Sequence, residues 1–218
     1  MELILRLLRP LTRIFAVLIA VFVLWAPQAQ AADPIKIGFS ASLSGALASS
    51  GKANLLAQQI WAEEINAKGG LLGRPVQLVF YDDQTNASII PGIYAKMIDI
   101  DKVDLLMGAA TNLIVAAMPL IMQRHKMVMV LVALGSNDEF KYPRYFQTAA
   151  WGPDAKGVIG NAFFEVAKTI SPRPKTVAIV GADAEFSNNV MIGARAIAKK
   201  EGFNIVYDRT YPPAVGSK

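Results

Sequence analysis

Beyond residue 31 the chain alternates short apolar runs with segments whose apolar residues recur every three or four positions. That alternation predicts an α/β domain built on a parallel sheet. Ile35–Phe39 reads as the first strand, followed by a loop of small and polar residues from Ser40 to Gly51. Leu56, Ala57, Ile60, Trp61 and Ile65 then form one helical stripe, stopped by Lys68-Gly69-Gly70, because glycine accepts the left-handed conformation common at helix ends. Pro75–Tyr81 is the second strand, ending in Asp82-Asp83, and Ile90, Ile93, Tyr94, Met97 and Ile98 make the second stripe. Pro91 fits there only in the first turn, where its missing N–H costs nothing. Val103–Met107 is the third strand, and Gly108 to Asn112 turns into a third helix that Pro119 should kink. Met127–Ala133 is a continuous apolar run, as in a parallel strand covered on both faces, and Tyr145–Thr148 is a short extended piece leaving this first unit.

After Gly152-Pro153 a second series begins. Ala155, Val158, Ile159, Ala162, Phe163, Val166 and Ile170 keep helical spacing, Thr176–Val180 is a strand, Asn188–Lys200 a helix and Phe203–Tyr207 a strand. Two strands cannot cover the helices of a doubly wound lobe, so residues 149–218 read as part of a second lobe and residues 32–148 as the first.

The first 31 residues read differently. Arg6, Arg9 and Arg13 precede an apolar run, Ile14–Trp25, which ends in Ala29-Gln30-Ala31. A basic start, apolar middle and small-residue exit make a cleavable secretory signal peptide over residues 1–31. The run is short of the roughly 20 residues of a spanning helix, so export to the periplasm is expected. Cleavage leaves 187 of the 218 residues. The leader holds three arginines and one glutamate, a net +2, so its loss lowers the formal charge of +5 to +3. No basic run is interleaved with aromatics, so no nucleic-acid partner is expected. With no cysteine, stability must come from an ordinary packed core. There is then no lipid-attachment residue either, and the product should be free in the periplasm.

A single histidine, His125, and no cysteine leave little material for a triad, a thiol nucleophile or a zinc site. His125 sits in a polar stretch, Gln123-Arg124-His125-Lys126, and reads as a surface residue. Gly38, Gly45 and Gly51 are spaced far wider than a dinucleotide fingerprint, which argues against a nucleotide cofactor. Asp82 and Asp83 fit turn and capping roles at a strand end. What remains are polar loops at carboxyl ends of parallel strands, where helix N-termini favour an anion. They are Ser42-Leu-Ser44-Gly45, Ala110-Thr111-Asn112 and Leu134-Gly135-Ser136-Asn137. Ser44, Thr111 and Ser136 are candidate ligand contacts, and plain N-capping is the alternative use of the same residues.

Ile35-Lys-Ile-Gly, Leu43-Ser-Gly, Glu63-Glu-Ile-Asn-Ala-Lys-Gly-Gly, Gly73-Arg-Pro-Val and Tyr81-Asp-Asp, in that order, resemble the leucine/isoleucine/valine-binding protein family. These are type I periplasmic binding proteins that serve ABC transporters for amino acids. The resemblance runs from about Ile35 to Pro213 and implies two α/β lobes closing over an amino acid or a small amide or carboxylate, handed to a membrane permease. It implies that Thr111 holds the ligand carboxylate and that Gly135 and Ser136 form the second loop of that lobe. Ser50 matches a position often aromatic, and Phe186, in Asp183-Ala-Glu-Phe186, matches a ligand-facing tyrosine without its hydroxyl. Trp151, beside the crossover, is either a further pocket wall or core at the lobe junction. Family members run to about twice this mature length, and the acidic residue that pairs with the ligand ammonium lies in their second half. After Pro213 the similarity fades, as a truncated reading frame would make it, and weak or no binding is expected of the chain alone. The expectation is a monomeric binding protein with no enzymatic activity, no cofactor and no metal. A sensor module of the same fold is the alternative, and an exported hydrolase lacks a nucleophile–base pair.

Overall fold

All named strands of the protein pair in parallel, in two separate sheets. The computed structural model describes residues 33–108, 111–135, 137, 140–149, 151, 152 and 154–212. The signal-peptide reading of residues 1–31 lies outside them. The first sheet holds β1 (Ile35–Ala41), β2 (Val76–Asp82), β3 (Leu105–Met107), β4 (Val128–Val130) and β5 (Tyr145–Gln147) in the order β2-β1-β3-β4-β5. The second contains β6 (Thr176–Ala182) and β7 (Asn204–Tyr211), with a bulge at Val177/Ala178. The helices are α1 (Ala48–Ala67), α2 (Ile90–Asp99), α3 (Met118–Gln123), α4 (Ala155–Thr169) and α5 (Glu185–Lys200). This is the doubly wound α/β architecture that the periodicity predicts.

Two expectations about elements are corrected. Tyr145–Gln147 does not leave the first unit: Val128, Met129 and Val130 pair with Tyr145, Phe146 and Gln147, making β5 the edge of the sheet. Pro119 does not kink a long helix. Thr111–Ala117 is a 3-10 segment, and α3 begins with Pro119 in its first turn, the place where a missing N–H is harmless. Pro91 likewise opens α2, as expected.

The main core lies under α2, the 3-10 segment and α3, where Ile90, Tyr94, Met97, Ile114, Met118 and Ile121 are fully buried against Leu106, Val128 and Val130. On the other face α1 lies against β1 and β2 through Gly51 and Ala62. Asn66 latches its end to the sheet, its Nδ2 donating to the Val76 carbonyl at 2.9 Å while the Val76 N–H donates to its Oδ1 at 2.7 Å. Arg74 ties the following turn to the start of β1 by donating to the carbonyls of Asp33 and Pro34.

The apolar stripes read on two helices do not all face the core. On α1, Leu56 and Ile60 are 58 % and 48 % exposed, and on α4 Phe163 is 68 % exposed. Gly51 and Ala62 take the inner face of α1 instead, while the inner face of α4 buries Phe164 together with Gly157 and Ala167. On α1 close approach outweighs side-chain size, because a helix seated on small residues brings its backbone nearer the neighbouring element. At Gly193 of α5, a Cβ would stand 1.9 Å from the Lys156 carbonyl oxygen of α4.

Candidate functional site

The loop after β1 is stitched to the loop after β2 by two adjacent aspartates. The fully buried Ser42 donates its hydroxyl to Asp83 Oδ1 at 2.6 Å, and the same oxygen accepts the Thr85 N–H at 2.9 Å. Asp82 Oδ1 accepts the backbone N–H groups of Leu43, Ser44 and Gln84, while the Ser44 hydroxyl donates to Oδ2 at 2.6 Å. Burial pushes the Asp82 carboxyl upward, but the Ser44 hydroxyl and the three backbone donors outweigh it and hold the group below the ordinary carboxylate value. The reading of both aspartates as turn groups agrees with this geometry. Gly51 is required at the start of α1, since a Cβ there would stand 2.0 Å from the Ser42 carbonyl oxygen.

These contacts place the sequence-predicted residues as follows. Ser44 lies exposed at the tip of β1 and is engaged by Asp82. Ser50 is exposed in the first turn of α1, where its hydroxyl donates to the Leu47 carbonyl at 3.0 Å. Thr111 opens the 3-10 segment that follows β3, at the same end of the sheet. Ser136 lies outside the described residues. Gly135 holds φ +63° in the loop after β4. His125 is exposed at the end of α3, as read.

The loop after β4 is where the two sheets' elements meet. The Ala133 carbonyl accepts Gln147 Nε2 at 2.6 Å and Trp151 Nε1 at 2.9 Å. The Leu134 carbonyl accepts Nδ2 of Asn189, a buried side chain on α5, at 3.0 Å. Helix α5 also touches the 3-10 segment headed by Thr111, and Phe186 sits half-buried in its first turn. The carboxyl end of the first sheet and the amino end of α5 therefore converge. Trp151 additionally lines a 410 Å³ cleft between α4 and α5 with Asp154, Lys200 and Glu201. Asn189 and Gln147 were not among the residues predicted. The available signal was an uncharged amide set among small and apolar neighbours, Asn189-Val-Met-Ile-Gly, which only the packing reveals as a link between units.

Among the described residues no group of three or more His, Cys, Asp or Glu side chains could hold a metal ion. No described helix is long and apolar enough to cross a membrane. The arrangement suits gripping a small polar solute at strand ends. Residues 34–217 match the model of a periplasmic binding protein family. The chain belongs to that family.

Solved structures agree in fold. The branched-chain amino acid transporter substrate-binding protein LivJ of Streptococcus pneumoniae, in complex with isoleucine, is 23 % identical with a TM-score of 0.66, the match covering 84 % of this chain and 51 % of that one. A solute-binding protein of an R. palustris ABC transporter, in complex with 4-hydroxybenzoate, is 22 % identical with a TM-score of 0.70, covering 85 % and 49 %. A putative branched-chain amino acid ABC transporter protein from Silicibacter pomeroyi is 25 % identical with a TM-score of 0.65, covering 85 % and 49 %. The chain thus spans about half the length of the solved structures it matches, and the fold is that of type I periplasmic binding proteins.

Proposed function

We propose that this periplasmic binding protein family member captures a small carboxylate, an amino acid or a related aromatic or aliphatic acid, in the periplasm and presents it to an ABC transporter permease. In this reading residues 1–31 direct export, residues 32–148 form a first lobe and residues 149–218 begin a second. The observation that carries the reading is the convergence of the loops after β3 and β4 with the amino end of α5, held by Asn189 donating to the Leu134 carbonyl. Thr111 and Ser136 would hold the carboxylate, with Gly135 letting it approach the backbone. Ser44 and Ser50 border the same end of the sheet, while Trp151 and Phe186 supply aromatic walls from the second lobe. Two solved relatives, bound to isoleucine and to 4-hydroxybenzoate, support a carboxylate as the shared feature and leave the side of the solute away from it variable. No bond is made or broken. Closing one lobe on the other over the solute would be the functional motion.

The test is a thermal-shift panel of the exported product against leucine, isoleucine, 4-hydroxybenzoate and 3,4-dihydroxybenzoate, each with its carboxamide analogue. Ligand that binds only the native state raises its stability by RT ln(1 + [L]/Kd). At least one carboxylate at millimolar concentration should raise Tm, and its carboxamide should do so less. Equal shifts with acid and amide, or none with any acid, would remove the carboxylate reading.

A further inference from the structure

We infer that Asn189 is a positioning residue for solute binding: from α5 it sets the peptide between Leu134 and Gly135, and with it the loop that meets the carboxylate. The inference rests on the solute-binding reading above. Asn189 lies in the second turn of α5 and is 6 % exposed. Its Nδ2 donates to the Leu134 carbonyl at 3.0 Å and to Glu185 Oε1, one turn earlier on the same helix, at 3.2 Å. A backbone carbonyl and an ionised carboxylate only accept, so the amide nitrogen, with one hydrogen for each, must be the atom that faces them. Glu185 thereby fixes which way round the Asn189 amide sits.

The Leu134–Gly135 peptide is trans, and a trans peptide carries its C=O and N–H on opposite sides of one plane. Fastening the Leu134 carbonyl to α5 therefore turns the Gly135 N–H away from the helix. Two residues on, Asn137 closes the loop: its Oδ1 accepts the Tyr142 N–H at 2.9 Å and its Nδ2 donates to the Tyr142 carbonyl at 3.3 Å. On the strand side the Ala133 carbonyl is already taken by Gln147 and Trp151. Side chains thus hold the loop at both ends, and the hold at Leu134 comes from α5. A single hydrogen bond adds less stability than an apolar side chain of similar size buried in the same place. What the Asn189 bond adds is the plane of one peptide, at the point where a carboxylate approaches the backbone. Parting α5 from the strand tip releases that plane, so the loop is set for the solute only while the two are together.

Isothermal titration of the exported product with leucine, isoleucine, 4-hydroxybenzoate and 3,4-dihydroxybenzoate, and with their carboxamides, reads the outcome. Asn189→Leu keeps the side chain's size and removes the donor. For each acid that the wild-type chain takes, it should raise Kd at least about tenfold, roughly 1.4 kcal/mol, while Kd for the matching carboxamide changes by less than about threefold. Met191→Ala, which empties a buried position on the same helix, should lower Tm and leave the ratio of acid to carboxamide affinity unchanged. The wild-type chain gives a second readout that needs no variant. Coupling between two sites is reciprocal, so hydrogen exchange of the Asn189 side-chain NH2 signals in NMR should slow with saturating acid and not with its carboxamide. An Asn189→Leu chain that binds every acid as the wild type does, an equal loss for acid and carboxamide, or Asn189 exchange unmoved by the acid overturns the inference and leaves the solute-binding reading standing. A wild-type chain that binds none of the acids removes that reading and the inference with it.

Discussion

At the residue scale the best-determined feature is the pair Asp82-Asp83, which fixes two loops of the first sheet through six hydrogen bonds to serine, threonine and backbone donors. Both were legible as turn groups because an Asp pair closing a strand has few other uses. The partners, Ser42 and Ser44, were not legible, since they lie about 40 positions away. Asp83→Ala strands the buried Ser42 hydroxyl and should lower stability by about 1–3 kcal/mol in urea denaturation. Asp82 sets a pH dependence. Its carboxyl is held below its unfolded value, so the stabilisation is complete above the unfolded value and is lost as protons bind on falling through the folded one. Asp99 beside Arg124 and Asp208 beside Arg195 are lowered in the same direction, chiefly by the arginine hydrogen bonds. The urea midpoint should be flat between pH 5 and 7 and decline below about pH 4, and Asp82→Asn should make that decline shallower. A midpoint that rises on acidification would contradict the assignment.

At the scale of elements, the order of strands and helices was legible in the period of apolar residues, while the faces they present were only half legible. Periodicity marks where apolar side chains recur, but α1 carries two apolar arcs, and the one that seats on the sheet uses Gly51 and Ala62 to come close. On α4 two adjacent rings divide, Phe164 turning inward with Gly157 and Ala167 while Phe163 turns outward. The strand β5 was missed as a sheet member because three residues carry too little pattern to distinguish an edge strand from a linker. Helix contact through small residues makes a specific prediction. Gly193→Leu forces a side chain where even a Cβ would stand 1.9 Å from the Lys156 carbonyl oxygen, so α4 and α5 must separate. The loss should reach about 1–3 kcal/mol or more in thermal unfolding, and Gly92→Leu, on α2 with open space around its Cβ position, should cost nothing comparable.

At the scale of the molecule, the strand tips of the first sheet meet the amino end of α5. The proposed solute binding belongs to that meeting point. The loops of the candidate site could be picked out in the sequence because polar loops at the carboxyl ends of parallel strands are a recurrent place for ligands. What tied them to the second sheet, Asn189 reaching the Leu134 carbonyl, was invisible, since 55 positions separate the two residues. The claim on which the functional account rests is that those tips bind the solute. Two-dimensional NMR titration of the isotope-labelled product with the most stabilising acid of the panel tests it most directly. The account predicts saturable, millimolar-range shifts clustered at Ser44, Thr111, Gly135 and the amino end of α5, abolished by Thr111→Val. Shifts confined to Trp61 and Met129, away from the strand tips, or none at tens of millimolar, would contradict it.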